Sequence, residues 1–174
     1  MKTILNAAGE VLAHGEALLR EISDSAYSKK IPLSFDASVG GHYRHCLDHF
    51  DSLLSGLAEG IIDYDARLRN PRLETDRLFA IAKTAEIQTR MQKLPGASLW
   101  DPVSVRCKVA YSCDDSPPVP SAVAREVMFC VSHAIHHYAI IGVMADMQKM
   151  NLPPGFGIAP STLKHNRDLA LAAG

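Results

Sequence analysis

The sequence predicts an all-α fold, a four-helix bundle of long amphipathic helices with a small β-hairpin inserted between the third and the fourth. Three observations predict it. Apolar residues recur at three- and four-residue intervals in four separate stretches. One run near residue 105 alternates with period two instead. Serine, asparagine and proline punctuate the boundaries between these stretches. At 174 residues the chain suits a single domain, 1–174, long enough to bury most of its apolar surface around one core.

The first helix covers about residues 2–28 through Ile4, Leu5, Ala8, Val11, Leu12, Leu18, Leu19 and Ile22. KKIPLSFDAS breaks it, because Pro32 lacks an N–H and pushes the residues before it towards extended backbone. Ser38 or Asp36 caps the second helix, which runs to about Gly60. IIDYDARLRNP is a connector, and Asn70-Pro71 a good helix start. The third helix then runs from about Pro71 to Lys93, with Leu73, Leu78, Ile81, Ala85 and Met91 inward. VSVRCKVAY alternates Val103, Val105, Cys107, Val109 and Tyr111 against polar or small residues, a strand pattern. CDDSPPVPS is its turn and proline-rich return, so the partner strand is short or at an edge. Ser121 caps the longest helix, about 121–149, and a loop with one further helical turn completes the chain.

Composition narrows the function classes. Apolar residues make up 47% and charged residues 21%, as in ordinary globular proteins. A net charge of -1 offers no general attraction for nucleic acid or an anionic membrane. No run approaches the roughly 20 apolar residues of a bilayer span, and MKTILNAAGEVLAHGEALLREI lacks a continuous apolar signal core. A cytoplasmic location follows. Cys46, Cys107, Cys113 and Cys130 are too scattered for a disulfide framework and read as buried free thiols. The lone Trp100 reads as a packing residue.

Six of the eight histidines fall in two stretches, GHYRHCLDHF and SHAIHHYAII. His42, His45 and His49 share one side of the second helix, by their spacing of three and four. His133 and His137 are one turn apart on the fourth, the spacing at which two imidazoles reach one ion. That helix is apolar nearly all round, so its imidazoles need partners for their ring nitrogens, and a metal ion is one such partner. Helical projection places His42 and His49 near the apolar centre of the second helix and His45 on its flank. Cys130 shares the face of His133 and His137, as a small buried hydrophobe or a thiolate ligand. In YDARLRN, Arg67 is either part of a solvated loop or the holder of a substrate anion.

SVGGHYRHCLDHF followed far downstream by SHAIHHYA resembles the DinB/YfiT-like superfamily. The resemblance implies a four-helix bundle in which one histidine of the second helix and an HxxxH pair of the fourth hold a divalent metal. Carried onto this chain, the ligands are His45, His133 and His137, with His49 the substitute for His45. Imidazole ligands suit zinc, nickel, iron and copper alike; the expected cofactor is a divalent ion, zinc or nickel ahead of iron or copper.

Such an ion lowers the pKa of water to about 7, or that of a thiol, at its open positions. The resemblance therefore implies a metal-dependent, thiol-dependent S-transferase or a hydrolase. His42, His49 and His136 are its candidates for proton transfer, and Arg67 its substrate-binding residue. The expected partners are a small-molecule substrate, including a low-molecular-weight thiol, and a second copy of the chain, with neither nucleic acid nor membrane. The alternative is a non-catalytic, stress-related bundle that binds a metal or ligand and acts as a dimer.

Overall fold

Two helices in this chain stop where a serine or aspartate side chain takes over a backbone N–H. The computed structural model describes residues 2–112 and 114–172, so the thiol expected at Cys113 lies outside the described residues. Helix α1 (Lys2–Glu21) is shorter than expected, because Ser23 accepts the N–H of Ala26 and starts a separate turn, α2 (Asp24–Ser28). Residues 31–37 close on themselves through the Ile31–Ala37 bridge. Ser38 caps α3 (Val39–Gly56) by accepting the N–H of Gly41 at 2.9 Å.

The expected third helix is two. Asp76 has extended backbone, and its carboxylate accepts the N–H of Phe79 at 2.9 Å. It thereby separates α4 (Arg72–Thr75) from α5 (Arg77–Gln92). The buried face of α5 is Ala80, Thr84, Ile87 and Met91. Leu78, expected inward, is 64% exposed; Ala85 is exposed and Ile81 only half-buried. A polar Thr84 in the inward stripe hid the true phase.

The β element is also larger than a hairpin. Strand β1 (Ile61–Asp63) comes from the connector after α3 and pairs in parallel with β2 (Pro102–Arg106), Ile61 opposite Ser104. Strand β3 (Val119–Ala122) pairs antiparallel with β2, Val105 opposite Val119. The period-two run predicted a strand to Tyr111, but Cys107, Val109 and Tyr111 are exposed beyond it. The proline-rich return offers β2 only four partners. The intervening loop is instead pinned by Asp65, whose Oδ2 accepts the N–H of Lys108 and the hydroxyl of Ser116. Cys46 and Cys130 are buried; Cys107, expected buried, is exposed. Trp100, expected to pack, is 66% exposed.

Ser121 lies in β3 and does not cap α6 (Val123–Met147); its hydroxyl donates to Glu126 instead. α7 (Pro160–Ala172) is longer than the single turn expected, and none of its described residues is buried. The fold is thus mostly helical, seven α-helices and a three-stranded sheet among the described residues. α6 packs against α1 and α3, and α5 packs against the same two, so α1, α6, α3 and α5 close a ring around the core. Among the described residues one helix, α6, has the length and composition of a membrane span, with a mean hydropathy of 1.5 in its most apolar window. It is also the helix on which α1 and α3 pack.

Candidate metal centre

The site forms where α3 and α6 run side by side in opposite directions. His42 meets His137 while His45 meets His133, so rising numbers on one helix face falling numbers on the other. Spacings of three and four on α3, and of four on α6, put the five rings in one layer. The ring nitrogens of His45, His49 and His133 converge, one atom from each lying within 4.8 Å of the others. His137 stands next to this triangle, its ring centroid 4.6 Å from those of both His45 and His133. Its Nδ1 faces His42 Nδ1 at 2.9 Å. His136 is exposed, its ring against His137. The third convergent ring is therefore the one that helical projection favoured, and His49 is 5% exposed.

The hydrogen bonds fix which nitrogens carry protons. A carbonyl only accepts, so His49 Nδ1–H donates to the His45 backbone oxygen at 2.8 Å, leaving His49 Nε2 as a free lone pair. Arg67 Nη1–H donates to His45 Nδ1 at 2.5 Å. Neutral His45 then carries its proton on Nε2 and donates to His133 Nε2 at 2.9 Å. Burial holds these rings neutral. It is the largest cause of the fall of His45 to about 2, with His49, His137, Arg67 and His133 adding to it. His133 falls to about 4 and His137 to about 3, each first through burial and then through neighbouring imidazoles. His42 and His49 are lowered as well, again first by burial.

Neutral imidazoles are what a divalent ion needs, because each must offer a lone pair. A set of three imidazoles suits zinc, nickel, iron or copper. The His49 Nδ1–H on a backbone carbonyl is the kind of outer hydrogen bond that orients a ligating ring. Cys130 is not among the convergent ligand atoms. It is buried, 3.7 Å from Tyr64 Oη, and burial pushes its thiol up to about 12.

Around the histidines lie residues that the sequence did not single out. Tyr64, just after β1, stacks on His49, and Phe129 of α6 touches both His49 and His133. Both also line a cavity of about 390 Å³ between the sheet and α6. Glu126 at its edge is wholly buried and accepts from Tyr64 Oη (2.9 Å), Ser121 Oγ (2.6 Å) and Arg125 Nη1 (2.8 Å). A lone acid near the start of so apolar a helix was the available signal for it. Asp48 is buried behind the site, its Oδ2 4.0 Å from Arg44 Nε, and burial pushes its carboxyl up.

No family model matches the chain, and no solved structure matches it. A stretch of 105 residues, 60% of the chain, is 34% identical to FK506-binding protein 5 of Rhizopus delemar. That stretch spans 27% of the relative, so the likeness concerns a part of that protein and leaves the chain's own family open.

Proposed function

We propose that this chain is a divalent-metal-binding protein of DinB/YfiT-like type, and that its histidine layer serves metal-dependent S-transfer or hydrolysis on a small-molecule substrate in the cytoplasm. The observation that carries the reading is the convergence of three ring nitrogens from two antiparallel helices within 4.8 Å. The closed ring of α1, α6, α3 and α5 is the packing that a four-helix bundle of that type requires.

His45, His49 and His133 would hold the ion, with His137 the adjoining ring. The ion would supply Lewis acidity in a half-buried layer. The chain's own residues do the rest. Tyr64 and Phe129 wall the centre with aromatic surface against the neighbouring cavity. The facing His42 and His137 nitrogens pass a proton between them, and exposed His136 beside His137 links that pair to solvent. Arg67 presents a guanidinium for an anionic group.

The test is metal content of protein purified without a histidine tag, followed by assays of thiol transfer and ester hydrolysis with the metal found. We expect about one ion per chain, as three-histidine centres hold, and turnover that a chelator abolishes. Protein that takes up neither zinc nor nickel contradicts the reading.

A second reading, a non-catalytic metal binder acting as a dimer, draws on a different face. Met128, Val143 and Met147 of α6 are exposed, and Ile4, Ala7, Val131 and Ile135 line an adjoining apolar groove between α1 and α6. A metal-loaded dimer without turnover in either assay is its signature.

A further inference from the structure

The contact between Arg67 and His45 is at odds with a metal ion on the same ring. His45 turns Nε2 towards His133 and Nδ1 towards Arg67. For Nε2 to offer a lone pair to an ion, the ring proton must sit on Nδ1. Arg67 Nη1–H would then face another N–H, a donor against a donor. The guanidinium would also stand next to a divalent charge in a half-buried setting, where repulsion is only partly screened. Arg67 and an ion at His45 Nε2 therefore exclude each other in this geometry.

A second observation says where the guanidinium goes. Arg67 Nε is buried and has no hydrogen-bond acceptor among the described residues. A buried donor in that state gains by finding an acceptor. Asp48 is the buried carboxylate whose charge acts on Arg67, yet no hydrogen bond joins them. Arg67 leaves the helices altogether, on the loop between β1 and α4, where the neighbouring Arg69 has φ +49°. Its side chain thus reaches the layer from a loop rather than from α3 or α6, so a rotation of that side chain leaves the two helices in place.

We infer that Arg67 couples metal to anion at this centre. Without metal it caps His45 and opposes the ion. With metal it leaves His45 and offers its two-nitrogen edge, Nε and one Nη, to a carboxylate of the substrate. This inference rests on the reading of the histidines as a metal site. It names the substrate class as a molecule carrying a carboxylate near its reacting group, because a guanidinium edge matches two carboxylate oxygens at once. By reciprocity, an anion that engages Arg67 must tighten the metal by the factor by which the metal tightens the anion.

The experiment is a zinc titration of metal-free protein, followed by calorimetry, with and without excess acetate. Wild type, Arg67→Ala and Arg67→Lys are compared, and circular dichroism checks that each is folded. Arg67→Ala is expected to bind zinc about tenfold tighter than wild type without acetate, having lost the opposing charge. Acetate is expected to tighten zinc several-fold in wild type and to leave Arg67→Ala unchanged. Arg67→Lys, with a charge but no two-nitrogen edge, is expected to bind zinc as weakly as wild type and to respond little to acetate. Equal zinc affinity in wild type and Arg67→Ala, or an acetate effect of the same size in both, overturns the coupling while leaving the metal site standing. Failure of every variant to bind zinc overturns the site and the coupling together.

Discussion

Two polar layers cross the same α3–α6 seam, and they are built in opposite ways. In the tyrosine layer, Tyr43 and Tyr138 stack with centroids 6.2 Å apart, both buried. Tyr43 Oη shares a hydrogen with Thr84 Oγ1 at 2.8 Å, and Thr84 in turn donates to the Ala80 carbonyl. Every step of that chain ends on a protein partner, and Gly15 of α1 has no Cβ because the two rings fill the space. The histidine layer is half-buried, and its ring nitrogens face one another across the seam. A closed polar layer fixes the packing of helices. An open one, whose ring nitrogens converge on one point, can take a ligand.

The contrast can be broken most sharply at the ligands. His49→Ala or His133→Ala should weaken zinc binding by about 100-fold or more, the removal of a ligating group being at least as severe as loss of its outer partner. The metal-free variants should stay folded and lose about 1–3 kcal/mol, since each leaves one hydrogen-bond partner on His45 unpaired. Competition with a coloured chelator and urea unfolding measure the two. Next comes Gly15→Ala, whose methyl would lie 2.7 Å from the Tyr43 ring. Forcing rigid buried rings apart should cost about 1–3 kcal/mol, read by urea unfolding, with zinc affinity unchanged.

Acid distinguishes the layers more gently. His45, His133 and His137 are held at about 2, 4 and 3 in the folded protein, below the ordinary histidine value of about 6.5. Between those values and 6.5 the unfolded chain binds more protons, so stability rises with pH across that window. Metal-free protein should therefore lose stability as pH falls from about 6.5 towards 4. A urea midpoint equal or higher at pH 5 than at pH 7 would speak against neutral buried rings. The tyrosines contribute nothing in this window, because burial raises both well above their ordinary value. The smallest effect is that of Tyr43→Phe, about 1 kcal/mol for one neutral hydrogen bond, with no change in zinc affinity.

How far the sequence was legible follows the same division. The helix start at Ser38 and the inward placement of Val39, Cys46, Phe50 and Leu53 were readable, because capping and periodicity are local. So was the convergence of two histidine stretches, since equal spacings on neighbouring helices leave few ways to avoid one another. The break at Asp76 was not readable, because an aspartate within an apolar pattern caps as readily as it faces solvent. Strand β1 was missed, because three residues in a connector carry no period and its partner lies some forty residues downstream. Tyr64 reached the site through that parallel pairing, and Arg67 followed it. Both owe their position to a long-range contact rather than to any motif in YDARLRN. Helical phase put His49 inward and His45 on the flank, the resemblance pointed to His45 with His49 its substitute, and both rings lie in the convergent group.

The most direct measurement is anomalous diffraction at the zinc absorption edge from crystals of zinc-loaded protein. The predicted result is one peak inside the triangle of His45, His49 and His133, about 2.0–2.1 Å from each ligating nitrogen, with Arg67 turned away from His45. Loaded crystals whose only peaks lie outside the α3–α6 seam, with His45 still bound to Arg67, would contradict it.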